Sequence, residues 1–86
     1  MAIVTLRYWA AAKEAAGIAE ETIAADTLAG ALSAAGASAG QDSVFRAVLA
    51  RSSFLIDGNP VGVRAPDAVM LYDASVIEVL PPFAGG

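Results

Sequence analysis

Val76-Ile77-Glu78-Val79-Leu80-Pro81-Pro82-Phe83-Ala84-Gly85-Gly86 joins two unlike pieces of chain. Its first five residues are β-branched or large and apolar apart from Glu78, and they read as a strand. Alternation sends Ile77 and Val79 to a core and leaves Val76, Glu78 and Leu80 on the opposite face. Pro81 and Pro82 remove two consecutive ladder donors, so the strand stops at Leu80. The prolines also favour an extended, polyproline-like path that carries residues 81–86 away from a sheet. Gly85 and Gly86 have no Cβ, which lets the backbone enter a channel too narrow for side chains. The group delivered at the tip is the α-carboxylate of Gly86.

The other end of the chain supplies a partner strand. Residues 2–9, Ala-Ile-Val-Thr-Leu-Arg-Tyr-Trp, are again rich in β-branched and aromatic types. Val4, Leu6 and Tyr8 form an unbroken apolar set for the core, while Arg7 and Trp9 fall on the outer face with Leu80. Ala10 to Ala16 favours a helix that Gly17 can end in left-handed conformation. Glu21 to Ala25 is a shorter strand, close enough in sequence to pair antiparallel with the first. A second helix follows Asp26 or Thr27 as N-cap, with Leu28, Ala31, Leu32 and Ala35 on one face and Gly36 as its stop. Gly30 inside it points to close backbone packing or to a marginal helix. Ala37 to Asp42 reads as a small-residue loop, and Ser43 as the cap of a helix from Val44 to Arg51. Phe54-Leu55-Ile56 reads as a buried strand, Asp57 to Pro60 as a turn, and Val61 to Val63 as the continuation of a hairpin. The result is an α+β sheet with a helix packed on one face.

Composition limits what such a domain can do. Of 86 residues, 21 are alanine and 28 are large apolar or aromatic, enough for one sheet and its helices and too many for a disordered chain. Cysteine and histidine are absent, which excludes disulfides, thiolate nucleophiles, Cys/His zinc sites, Ser-His-Asp triads and imidazole acid–base chemistry within this chain. Five basic residues against nine acidic ones give a net charge of −4. The cations are isolated and form no phosphate-tracking stripe, so nucleic acid is not an expected partner. No apolar run is long enough for a membrane span, and no basic segment precedes an apolar stretch as in a secretory signal. A cytoplasmic location is the default expectation.

Side-chain chemistry is equally sparse. Glu20 and Glu21 are adjacent on a strand, point to opposite faces and read as a solvated strand end. Lys13 sits beside Glu14 on a wet helix, and no glycine cluster matches a phosphate loop. The tail carboxylate is the remaining reactive group. It is a poor electrophile and nucleophile by itself, so another enzyme must activate it, for instance as an acyl-adenylate open to attack by sulfur or nitrogen.

With its Pro-Pro-x-x-Gly-Gly ending directly after a strand, the chain resembles the ubiquitin-like β-grasp sulfur carriers, and among them most the small subunits of molybdopterin synthase. The resemblance runs through the opening strand, the Ala-rich helix with Lys13-Glu14 and Gly17, the helix from Thr27, and Leu71-Tyr72-Asp73 before the last strand. It implies a β-grasp domain over residues 1–80 and a tail over 81–86. It further implies that Gly86 is adenylated and thiocarboxylated, with Pro81, Pro82, Phe83, Ala84 and Gly85 inserting into partner channels and with Trp9 and Leu80 at the docking positions. The implied partners are an adenylating, E1-like enzyme that consumes ATP and a large synthase subunit. Sulfur would pass to cyclic pyranopterin monophosphate to form molybdopterin, the chain itself binding no cofactor or metal. Carriers for thiamine, cysteine or tRNA thiolation, and ubiquitin-like protein modifiers, share the same tail. Asp73-Ala74-Ser75 stands where the family commonly has Asp-Gly-Asp, and Gly62 to Val69 is longer than the usual hairpin region.

Overall fold

Strand β1 spans Ile3–Tyr8 and is the second strand of a five-stranded mixed sheet. The computed structural model describes residues 1–36 and 43–82; the loop read at Ala37–Asp42 and the last four residues lie outside them. Helix α1 (Ala10–Ala16) follows β1 directly and ends at Gly17, whose φ of 78° lets its N–H reach the Lys13 carbonyl at 3.0 Å. Strand β2 (Glu20–Ala24) returns antiparallel to β1, with Val4 opposite Ile23 and Arg7 opposite Glu20.

Helix α2 (Leu28–Ala34) begins as its sequence suggests, the Thr27 hydroxyl accepting the Gly30 N–H at 3.1 Å. Its other end is closed from outside. Arg46 donates to the carbonyls of Leu32 at 2.6 Å, Ser33 at 3.1 Å and Ala35 at 2.6 Å, satisfying acceptors that a helix terminus leaves free. Arg46 belongs to α3 (Ser43–Arg51), which packs Phe45, Val48 and Leu49 into the core. Gly36 fits against this helix only as glycine: its φ is 76°, and a Cβ there would lie 2.4 Å from the Phe45 ring. At Gly30, by contrast, the nearest atoms to a Cβ stand at 3.4 and 3.6 Å, ordinary contact distances, so the close packing read there is not required.

Strands β3 (Ser53–Ile56) and β4 (Asn59–Pro60) form a hairpin around Asp57-Gly58, with φ of 50° and 84°. The turn is therefore two residues long instead of four. Two successive positive φ values match the twist of a hairpin, and they draw Asn59 and Pro60 into the strand in place of Val61 to Val63. Pro60 is tolerated because β4 is an edge strand. β3 is half-buried, not buried as read, since β4 beside it is so short. A 3-10 turn at Pro66–Ala68 precedes β5 (Val76–Leu80).

The sheet order is β2-β1-β5-β3-β4, with β1 and β5 parallel and the other pairs antiparallel. Val4, Leu6, Tyr8, Ile23, Ile77 and Val79 meet Leu28, Ala31, Ala35, Phe45 and Leu49 from the helices in one core. Each fully buried large side chain contributes about 1.5–3 kcal/mol. This is the α+β arrangement, mixed sheet and helices on one face, that the strand patterns and the family likeness anticipate.

Candidate functional site

The end of β5 is where the chain leaves the sheet. Pro81 is half-buried and Pro82 exposed; Phe83, Ala84, Gly85 and Gly86 lie outside the described residues. Leu80 is the last residue of β5, half-buried on the face opposite the helices. The parallel register places Tyr8 beside Val79, so Trp9 arrives beside Leu80. The Trp9 N–H donates to the Val79 carbonyl at 3.3 Å.

Trp9 stands at a corner of the backbone. Its own conformation is extended, while Ala10 next to it has a φ of 48°. An alanine in the left-handed region costs roughly 1–2 kcal/mol. The turn lets the Trp9 carbonyl accept N–H groups from Ala12 at 3.0 Å and Lys13 at 3.3 Å, so Trp9 both closes a strand and opens α1. Its side chain stays 45% exposed, among the largest apolar groups left uncovered. Trp9 and Leu80, both singled out by strand parity, are thus neighbours at the root of the tail.

Below them the open face is polar and apolar by turns. Across the sheet Glu20, Arg7, Glu78, Leu55 and Pro60 form one row, and Arg7 Nε meets Glu20 Oε2 at 3.3 Å. Half-exposed side chains at both ends make this a weak, screened pair. Glu20 is accordingly the solvated strand-end group that the sequence suggests.

Glu21 is not. It faces inward and accepts hydrogen bonds from the Tyr8 hydroxyl and, at 3.0 Å, from the Gly36 N–H. Tyr8 is buried, with its ring edge-on to Phe45 at a centroid distance of 5.5 Å. Burial first, and then the bond to the Glu21 carboxylate, push the Tyr8 hydroxyl well above the ordinary tyrosine range, so it stays a protonated donor. This group ties β1, β2 and the end of α2 together and lies on the helix side, away from the root of the tail. The pattern offers one signal for it: an inward-facing glutamate next to an inward-facing tyrosine on the paired strand.

Among the described residues, no group of three or more acidic side chains could hold a metal ion. Among the described residues, open depressions of about 430 and 360 Å³ are lined by Lys13, Glu14 and Ile18 and by Leu32, Arg46 and Phe54 among others. Neither assembles an acid, a base and a nucleophile. Among the described residues, no helix is long and apolar enough to cross a membrane.

No protein-family model matches this sequence, and no curated protein matches it. Solved structures do match its fold. Small archaeal modifier protein 1 from Methanosarcina acetivorans superposes with a TM-score of 0.82 at 23% identity, covering 100% of this chain and 98% of that one. A chain in the complex of subunits 1 and 2 of molybdopterin-converting factor from Helicobacter pylori gives 0.69 at 20% identity, over 98% and 99% of the two chains. SAMP1 from Haloferax volcanii gives 0.74 at 18%, again over 98% and 99%. With helices on one face of a β2-β1-β5-β3-β4 mixed sheet, and with these structures superposing along nearly its whole length, the chain has the ubiquitin-like β-grasp fold.

Proposed function

We propose that the protein is a ubiquitin-like sulfur carrier whose reactive group is the Gly86 carboxylate. The observation that carries this reading is the Pro-Pro-x-x-Gly-Gly sequence placed directly after β5 of a β-grasp sheet. An adenylating partner transfers AMP from ATP to a Gly86 oxygen and releases pyrophosphate. A sulfur nucleophile then attacks the carbonyl carbon, and the bond to AMP breaks as the thiocarboxylate forms. That thiocarboxylate is ionised near neutral pH and nucleophilic; its sulfur attacks the acceptor, and water then cleaves the carbonyl carbon–sulfur bond, leaving sulfur on the acceptor and returning the Gly86 carboxylate. The partners supply the catalytic groups, which is compatible with a chain that has neither histidine nor cysteine.

Within this reading the acceptor is cyclic pyranopterin monophosphate and the second partner a large synthase subunit. Likeness to a chain that forms a complex of two molybdopterin-converting factor subunits supports that route. Residues 1–80 form the docking domain, with Trp9 and Leu80 on its surface, and residues 81–86 insert. A second reading, in which a lysine amine of another protein attacks the adenylate and leaves an isopeptide bond, draws support from the likeness to a small archaeal modifier protein.

Intact-mass measurement after incubation with a sulfur-loaded adenylating enzyme and ATP separates these. A gain equal to exchange of one oxygen for sulfur is expected; heavier conjugates favour the modifier; no ATP-dependent change overturns both. Deleting Gly86 should abolish the mass gain while leaving the melting temperature unchanged, because the described core draws its last residue from β5, at Val79.

A further inference from the structure

Glu78 is a carboxylate that the tail chemistry does not use. It lies on β5, the central strand of the sheet, half-buried on the open face. Its same-face neighbours along the strand are Val76 and Leu80, and across the sheet Leu55 on one side and Arg7 on the other. Arg7 is engaged elsewhere, its Nε directed to Glu20 on β2. Among the described residues no cation stands within 4.0 Å of Glu78.

The fold does not call for an acid there. Glutamate is depleted in strands, and threonine or valine would suit a half-buried central position better. Water solvates the carboxylate as long as the face is open. A partner that covers Trp9, Leu55 and Leu80 strips that water away, and an unpaired carboxylate under an apolar cover opposes binding strongly. The surface therefore fits a partner that brings its own counter-charge.

Resting on the docking role proposed above for this face, we infer that the partner covering it presents a guanidinium or ammonium group to Glu78, flanked by apolar side chains that cover Trp9, Leu55 and Leu80. Trp9 and Leu80 supply contact area, while Glu78 fixes the register of docking and rejects surfaces that lack the cation.

The test is calorimetric titration of the full chain with two probes, an adenylating enzyme in the presence of ATP and a large synthase subunit, at low and high salt. Glu78→Gln should weaken binding to at least one probe by about tenfold or more, and Glu78→Lys further still. The wild-type affinity should also fall more steeply with salt than that of Glu78→Gln. Unchanged melting temperatures show that both variants fold. Binding by wild type that Glu78→Gln leaves intact overturns this inference alone; equal losses in Glu78→Gln and Arg7→Gln also overturn it, since Arg7 would then serve as the counter-charge. Failure of the wild type to bind either probe overturns the docking reading and the inference together. Self-association that covers this face, seen by sedimentation, overturns the inference as well.

Discussion

Leu6 and Arg7 are consecutive residues, and so are Ile77 and Glu78, yet each pair divides between two different environments. The inner members, with Val4, Tyr8 and Val79, are at most 1% exposed. The outer members share their face with the half-exposed Trp9 and Leu80. The inner face pairs its polar atoms among themselves, Tyr8 with Glu21 and Glu21 with Gly36. On the outer face Arg7 has an ionic partner and, among the described residues, Glu78 does not. One set of strands therefore carries a surface completed within the molecule and a surface that a second molecule can complete.

Substitutions can break that division or sharpen it. The largest effect is expected from Phe45→Ala, which empties a site between Tyr8 and Gly36 and should cost about 3–5 kcal/mol in urea unfolding. Trp9→Ala should cost about 1 kcal/mol or less by the same measurement while weakening partner binding. A comparable stability loss from Trp9→Ala would erase the distinction between the faces.

Next in size is Tyr8→Phe. It keeps the ring and removes a donor from Glu21, with an expected loss of about 1–3 kcal/mol at neutral pH. The raised Tyr8 pKa adds a sign. The unfolded chain releases this proton as pH rises past about 10, whereas the folded chain still holds it, so wild-type stability declines with pH above that point. The decline should be shallower in Tyr8→Phe, as denaturation midpoints from pH 7 to pH 11 can check.

The smallest expected effect is a gain. Ala74 has a φ of 70° in the turn before β5, where it donates to the Ile3 carbonyl at 2.9 Å. Ala74→Gly relieves the Cβ clash and should stabilise by about 1 kcal/mol or less in thermal unfolding, with partner affinity unchanged. A change in affinity would mean that the placement of β5, and not its outward side chains, governs the open face.

Much of this division is legible in the sequence because it depends on period two alone. Alternation in residues 3–9 and 76–80 assigns the inner and outer sets. Turn chemistry is legible in kind at Asp57-Gly58, though its length depends on which backbone angles the hairpin twist selects. What escapes is whatever joins residues far apart in sequence through their side chains. Glu21 looks like an ordinary strand-end acid until Tyr8 and Gly36 are brought to it. Arg46 looks like a solvated helix charge until the α2 carbonyls arrive. The lack of a counter-charge for Glu78 likewise depends on Arg7 turning to β2.

The parallel pairing of β1 with β5 has a kinetic consequence. Thr5 takes its neighbour from Val76, so β1 acquires its central partner only after every helix and the other strands between them have been made. Loop closure of that span must precede the contacts that reward it, which slows folding relative to a chain of local contacts. Until β5 inserts, β1 and β3 present bare edges with no strand between them, and an incomplete chain is correspondingly prone to pair with others. Since the residues that complete the sheet lead directly into the Gly-Gly tail, truncation from that side should pass from loss of chemistry to loss of solubility within a few residues of Pro81.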